Sequence, residues 1–236
     1  DNIGLFLSKR AHLDPTVEAF VDVASGLRLS YHELNQRANQ TAHFLTTLGV
    51  KKGDRVALLM LNCPAYLELF FGLAKIGAVT VPLNIRLVAD ELAYIIQDSG
   101  SGLLMFGPEF QAVTHQLHEN LAKISCVENF IFVGGPDTTE LDRPDFALDY
   151  ESLRLSSPAH EPTISAGEEE MLYIMYTSGT TGLPKGVVHT HNSAIWACIT
   201  WAATGEFRLY DRYLLILPLY HVGALTPVTA NIYLGS

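Results

Sequence analysis

Cysteine is scarce in this sequence: Cys63, Cys126 and Cys198 are the only three among 236 residues. They are odd in number, far apart and in no Cys-x-x-Cys or Cys/His spacing, which argues against a disulfide framework and a cysteine-built metal site. Each is read as a small apolar residue in a reducing, intracellular compartment. Basic residues are few as well. Fifteen Lys and Arg stand against twenty-five Asp and Glu, a formal net charge of −10. The longest basic run is Lys51-Lys52, so the basic patch or stripe of a nucleic-acid binder is missing. No run reaches the roughly 18–20 apolar residues of a membrane span. The opening residues, Asp1 to Arg10, carry their basic residues after a short apolar stretch, unlike a signal peptide, and a cytoplasmic location is expected. Charged residues are only 17% of the chain, too few for a disordered segment.

What is present is a large apolar fraction, 48% of residues, arranged in alternating helix and strand periods. Ser30 with Glu33 three residues on matches a capping box. Leu34, Ala38, Ala42 and Leu45 then share one face of a helix over 31–48, ended by Gly49. Arg55–Met60 reads as a buried strand, Pro64–Ile76 as a helix closed by Gly77, and Ala78–Val81 as a second strand. That is a βαβ unit, which implies a parallel sheet. Helices over 89–97 and 108–121 and strands over 103–106 and 129–133 continue the pattern. The expected fold class is therefore α/β, an open and largely parallel sheet flanked by helices. Residues 1–133 are expected to form a first lobe. Residues 134–170, rich in Pro, Asp, Glu, Ser and Thr, read as a surface linker, and 171–236 as a second lobe. In that second lobe strands are expected over 171–176 and 212–217, helices over 192–203 and 221–234, and Trp196 and Trp201 are expected to pack on the first of these helices.

The chemistry concentrates in Tyr176-Thr-Ser-Gly-Thr-Thr-Gly-Leu-Pro-Lys185-Gly186. Glycines let backbone N–H groups face one concavity. Thr177, Ser178, Thr180 and Thr181 add hydroxyls, and Lys185 adds a cation with no carboxylate beside it. A polyphosphate needs this set of donors. The loop is neither a Walker A sequence, which places Gly-Lys-Ser/Thr after four free positions, nor a GxGxxG dinucleotide turn. A flexible Ser/Thr/Gly linker would not be expected directly after an apolar strand with a Pro-Lys-Gly exit. His189 and His191 are two apart and point to opposite sides of an extended chain, so they do not share a metal.

This stretch, through Val187-Val-His189-Thr-His191, resembles the AMP-binding signature of the adenylate-forming superfamily. Other segments resemble the family in the same order: Leu29-Ser-Tyr-His-Glu-Leu34, Gly53-Asp-Arg-Val56, Gly72-Leu-Ala-Lys-Ile-Gly-Ala-Val-Thr-Val-Pro-Leu-Asn84 and Leu217-Pro-Leu-Tyr-His-Val-Gly223. The resemblance spans nearly the whole chain and within the superfamily is nearest to fatty-acyl-CoA ligases. It implies an enzyme that uses ATP and Mg2+ to turn a carboxylic acid into acyl-AMP, then CoA to give acyl-CoA. It implies that Ser178, Gly179, Thr180, Thr181, Gly182 and Lys185 hold the β- and γ-phosphates and that Thr177 is a Mg2+ ligand. It places His221 beside the acid, with a packed histidine at a strand end as the other reading. The family's tryptophan gate has no match in Val222-Gly-Ala-Leu225. Tyr31, Lys75 and Asn84 are read as structural. The resemblance also places the adenine and ribose segments, a C-terminal domain and its catalytic lysine beyond Ser236. The chain is accordingly expected to be part of an N-terminal domain, inactive alone, with no catalytic residue of its own. Peripheral membrane contact and a homodimer are compatible with it. Two other readings are an adenylation domain that loads a carrier protein and a non-catalytic nucleotide-binding or interaction fragment.

Overall fold

The computed structural model describes residues 2–23, 25–135, 137–139, 142–177 and 182–235. Helix α1 (Gly4–Leu13) precedes a small antiparallel hairpin of β1 (Glu18–Val21) and β2 (Arg28–Ser30). Helix α2 (Tyr31–Thr47) starts at the capping box read from the sequence. Glu33 N–H donates to Ser30 Oγ at 3.2 Å and Ser30 N–H to Glu33 Oε2 at 2.8 Å. The βαβ unit follows as β3 (Arg55–Leu59), α3 (Pro64–Ile76) and β4 (Val79–Pro82). Gly77 ends α3 with φ 72°, a left-handed conformation that favours glycine.

The chain continues through α4 (Ala89–Ser99), β5 (Ser101–Phe106), α5 (Gln111–Glu119), β6 (Asn129–Phe132), β7 (Ala147–Asp149) and α6 (Tyr150–Leu155). It ends with β8 (Met171–Thr177), β9 (Lys185–Thr190), α7 (His191–Thr204) and α8 (Val222–Leu234). Strands β3 to β9 form one seven-stranded sheet in the order β7-β6-β5-β3-β4-β8-β9. Every adjacent pair is parallel except β8 with β9. The α/β architecture expected from the sequence is therefore the one observed. Val56 and Leu58 face a core shared with α1, α2, α3 and α8, whereas Ala57 and Leu59 face a second core under α4 and α5. Burial on both faces explains why these strands read as unbroken apolar runs.

Three expectations fail at the level of single elements. Residues 134–170 are more than a surface passage: they contain β7, which extends the sheet, and α6. A three-residue strand shows no periodicity, and tertiary anchors fix it in place. Asp149 caps α6 by accepting from Ser152 N–H at 2.7 Å, and buried Tyr150 donates to Glu68 Oε2 at 2.6 Å. Residues 212–217 form no strand and pair with none among the described residues; Leu214 and Ile216 are 73% and 76% exposed. Trp196 is 64% exposed and Trp201 41%. Helix α7 buries His191, Ala194 and Cys198 instead. Trp196 falls midway between Ala194 and Cys198, on the opposite face. Trp201 lies at the stripe's margin, its ring 6.0 Å from Phe207.

His191, the first residue of α7, is tied to the start of the chain. Its side chain is buried, and Nδ1 accepts from Ile3 N–H at 3.1 Å. Protonating Nδ1 would set two N–H groups against each other. Burial, opposed by the smaller pull of Glu170, lowers its pKa from 6.5 to about 4. Between those pH values the unfolded chain binds a proton that the folded chain excludes, so stability falls as pH falls. The expected loss is up to about 3 kcal/mol between pH 6.5 and 4. Urea unfolding at several pH values should show it, and His191→Phe should flatten that limb. Equal acid slopes in both proteins would refute this role.

Candidate functional site

In an open parallel sheet, ligands bind outside the carboxyl ends of the strands. Here that edge carries the chemistry-bearing sequence. Strand β8 ends at Thr177 and the chain returns as β9 beginning at Lys185. The loop read as a phosphate cradle is thus the connection of an antiparallel hairpin, and its ends are fixed by register. Thr177 lies opposite Lys185 and Tyr176 opposite Gly186. The hairpin sets Thr177 and Lys185 opposite each other at the loop's mouth, both exposed. Gly182 is exposed, and among the described residues, its chain neighbours aside, no atom lies within 4 Å of where a Cβ would be. Ser178, Gly179, Thr180 and Thr181 lie outside the described residues.

Gly186 is required for a packing reason. A Cβ there would stand 2.7 Å from Ile174 Cγ2 and 3.1 Å from Tyr176 Cζ. Ile174 and the Tyr176 ring both crowd that position, so the residue after Lys185 can carry no side chain without displacing a neighbour.

His221 is the N-cap residue of α8 and is exposed, its ring 4.3 Å from that of Tyr220. It is not a packed core histidine. Its position depends on Asn62, which stands just before Cys63, the N-cap of α3. Asn62 Nδ2 donates to Leu217 O at 2.9 Å, and Leu219 N–H donates to Asn62 Oδ1 at 2.8 Å. One side-chain amide therefore clasps both sides of Pro218, and His221 N–H closes the turn onto Pro218 O at 3.0 Å. No local signal could single out this asparagine, because its partners are more than 150 residues away. The clasp holds His221 at the end of β3. Only β4 separates β3 from β8, which puts the two strands roughly 10 Å apart.

His189 and His191 do diverge. The His189 ring stacks on Tyr173 at 4.5 Å, while His191 is buried against Ile3. Among the described residues no group of three or more His, Cys, Asp or Glu could hold a metal ion. No helix among them is long and apolar enough to cross a membrane. Tyr31 and Lys75 are fully buried, consistent with structural roles. Lys75 Nζ donates to Asn35 Oδ1 and Asn39 Oδ1, each at 2.6 Å, and to Glu161 Oε2 at 2.9 Å. Asn84 Oδ1 accepts from Arg86 N–H at 3.0 Å in the turn after β4.

Comparison with known proteins adds to this geometry. A profile described as AMP-binding enzyme matches residues 7–236. The long-chain-fatty-acid–CoA ligase FadD13 of Mycobacterium tuberculosis is 44% identical over 227 residues, 96% of this chain and 42% of that protein. A crotonobetaine/carnitine–CoA ligase of Escherichia coli is 37% identical over 201 residues, 83% of this chain and 37% of that protein. The inhibitor-bound N-terminal domain of FACL13 from M. tuberculosis superposes with a TM-score of 0.90 at 41% identity, covering 99% of this chain and 55% of that one. The chain spans less than half the length of the curated relatives it matches.

Proposed function

The chain belongs to the AMP-binding enzyme family, and we propose that in its family-length form it activates a carboxylic acid with ATP and passes the acyl group to CoA. The observation that carries the proposal is the pairing of Thr177 with Lys185 at the mouth of a glycine- and hydroxyl-rich loop, at the carboxyl edge of a parallel sheet. In the proposed reaction a carboxylate oxygen attacks the α-phosphorus of ATP. The bond to the β-phosphate oxygen breaks and pyrophosphate leaves. The thiol sulfur of CoA then attacks the acyl carbon, AMP leaves with the carboxylate-derived oxygen, and the thiol proton passes to solvent. Charge builds on phosphate oxygens in the first step, so fixed donors and cations aimed there accelerate it. Lys185, Gly182 and the loop residues Ser178, Gly179, Thr180 and Thr181 take the β- and γ-phosphates. Bound Mg2+ would neutralise phosphate charge. The Thr177 hydroxyl would be one of its ligands, alongside the phosphates. His221, held at the end of β3, lines the acid side.

A fatty acid is the favoured substrate, supported by the similarity to the M. tuberculosis fatty-acid–CoA ligase. The family-length enzyme, given ATP, CoA and a panel of carboxylic acids, should yield AMP, pyrophosphate and thioester in equal amounts. Cleavage to ADP, or nucleotide cleavage that ignores the acid, would refute the reading.

A further inference from the structure

The phosphate loop hairpin is anchored from outside its own signature. Asp98 lies near the C-terminal end of α4, 78 residues before Tyr176, and accepts the Tyr176 hydroxyl at Oδ2 over 2.6 Å. An O–H donor to a carboxylate at that separation is a strong, charge-assisted bond. Burial, then the adjacent Asp98 carboxylate, raises the Tyr176 phenol above its usual pKa, so it stays a donor. The same ring covers Gly186, with its Cζ and Cε2 3.1 and 3.2 Å from where a Cβ would stand. Gly186 follows Lys185 directly, and Tyr176 precedes Thr177 directly. A path of contact therefore runs from Asp98 through the Tyr176 ring to the strand pair that opens the loop. β9 is an edge strand whose first four residues are exposed, so beyond the ladder with β8 little packs on the strand that carries Lys185.

We propose that Asp98 is a positioning residue for ATP: by holding Tyr176 over Gly186 it fixes Lys185 against Thr177 and so aims the lysine at the phosphates. The inference rests on the proposed function and extends it to a helix outside the signature loop. Asp98 touches no substrate; its effect passes through Tyr176.

The test uses the family-length enzyme with a carboxylic acid it accepts, and measures acid-dependent ATP–pyrophosphate exchange. Asp98→Ala and Tyr176→Phe should each raise the KM for Mg-ATP by about fivefold to tenfold, the effect of one lost charge-assisted hydrogen bond. The KM for the acid should not move. Asp98→Asn keeps an acceptor oxygen and should retain near-normal KM. The Asp98→Ala/Tyr176→Phe double variant should be no worse than either single variant, because both remove the same link. Amide exchange on the 236-residue chain gives a readout without turnover: Asp98→Ala should speed exchange in β9 and leave α2 unchanged. An unchanged ATP KM in Asp98→Ala, or additive single effects, would overturn the inference while leaving the proposed function standing. If the wild type shows no acid-dependent exchange, the proposed function fails and this inference with it.

Discussion

Replacing Lys185 with alanine is expected to slow acyl-adenylate formation by roughly 100-fold in the family-length enzyme, the scale seen when one fixed donor to developing charge is removed. The residue begins β9 directly opposite Thr177, so its backbone is set by the ladder while its side chain is exposed. Nothing in the fold needs the ammonium group: no ion pair is formed by Lys185 among the described residues. Stability should therefore change by less than about 0.5 kcal/mol, as for other exposed substitutions. Stopped-time assays of pyrophosphate release, with unfolding curves on the same samples, separate the two effects. Wild-type rates in the variant would remove Lys185 from the chemistry.

Replacing Glu68 with alanine should do the reverse, lowering stability by about 3–5 kcal/mol, the usual result of leaving buried charges without their partner. Glu68 is fully buried on α3. Its Oε1 accepts from Arg37 Nε at 2.6 Å, and its Oε2 accepts from Tyr150 at 2.6 Å with Arg154 Nε 3.8 Å away. Tyr150 OH also lies 2.9 Å from Thr41 Oγ1. One carboxylate thus joins α2, α3 and α6, and brings the 134–170 stretch onto the sheet. Glu68→Gln keeps both an acceptor and the shape, and should lose about half as much. Equilibrium denaturation measures both; a loss below about 1 kcal/mol for Glu68→Ala would mean that the network contributes little.

The two outcomes reflect what a sequence shows and what it hides. The candidate phosphate loop could be proposed from sequence because its donors are consecutive residues: glycines, hydroxyls and a lysine between two strands. Strands β3, β4, β5 and β8 and helices α2 and α3 were legible because burial on a regular element leaves a period, and because Ser30, Pro64 and Gly77 mark the ends. Elements fixed by distant partners were hidden. Strand β7 is three residues long and exists because β6 offers it an edge. Helix α6 follows because Tyr150 and Arg154 find Glu68. Residues 212–217 show the converse, an apolar run with no strand beside it among those described. Asn62 is the clearest case at the site, since its role lies in two backbone atoms flanking Pro218. Tyr176 was legible only as part of a motif; its contact with Asp98 needed the fold.

The central claim is that a carboxylate oxygen attacks the α-phosphorus of ATP. The most direct measurement is to supply the family-length enzyme with a carboxylic acid labelled with heavy oxygen in its carboxylate, together with ATP and CoA. One labelled oxygen should appear in the phosphate of AMP and none in pyrophosphate. Label in inorganic phosphate or pyrophosphate, or AMP free of label, would contradict it.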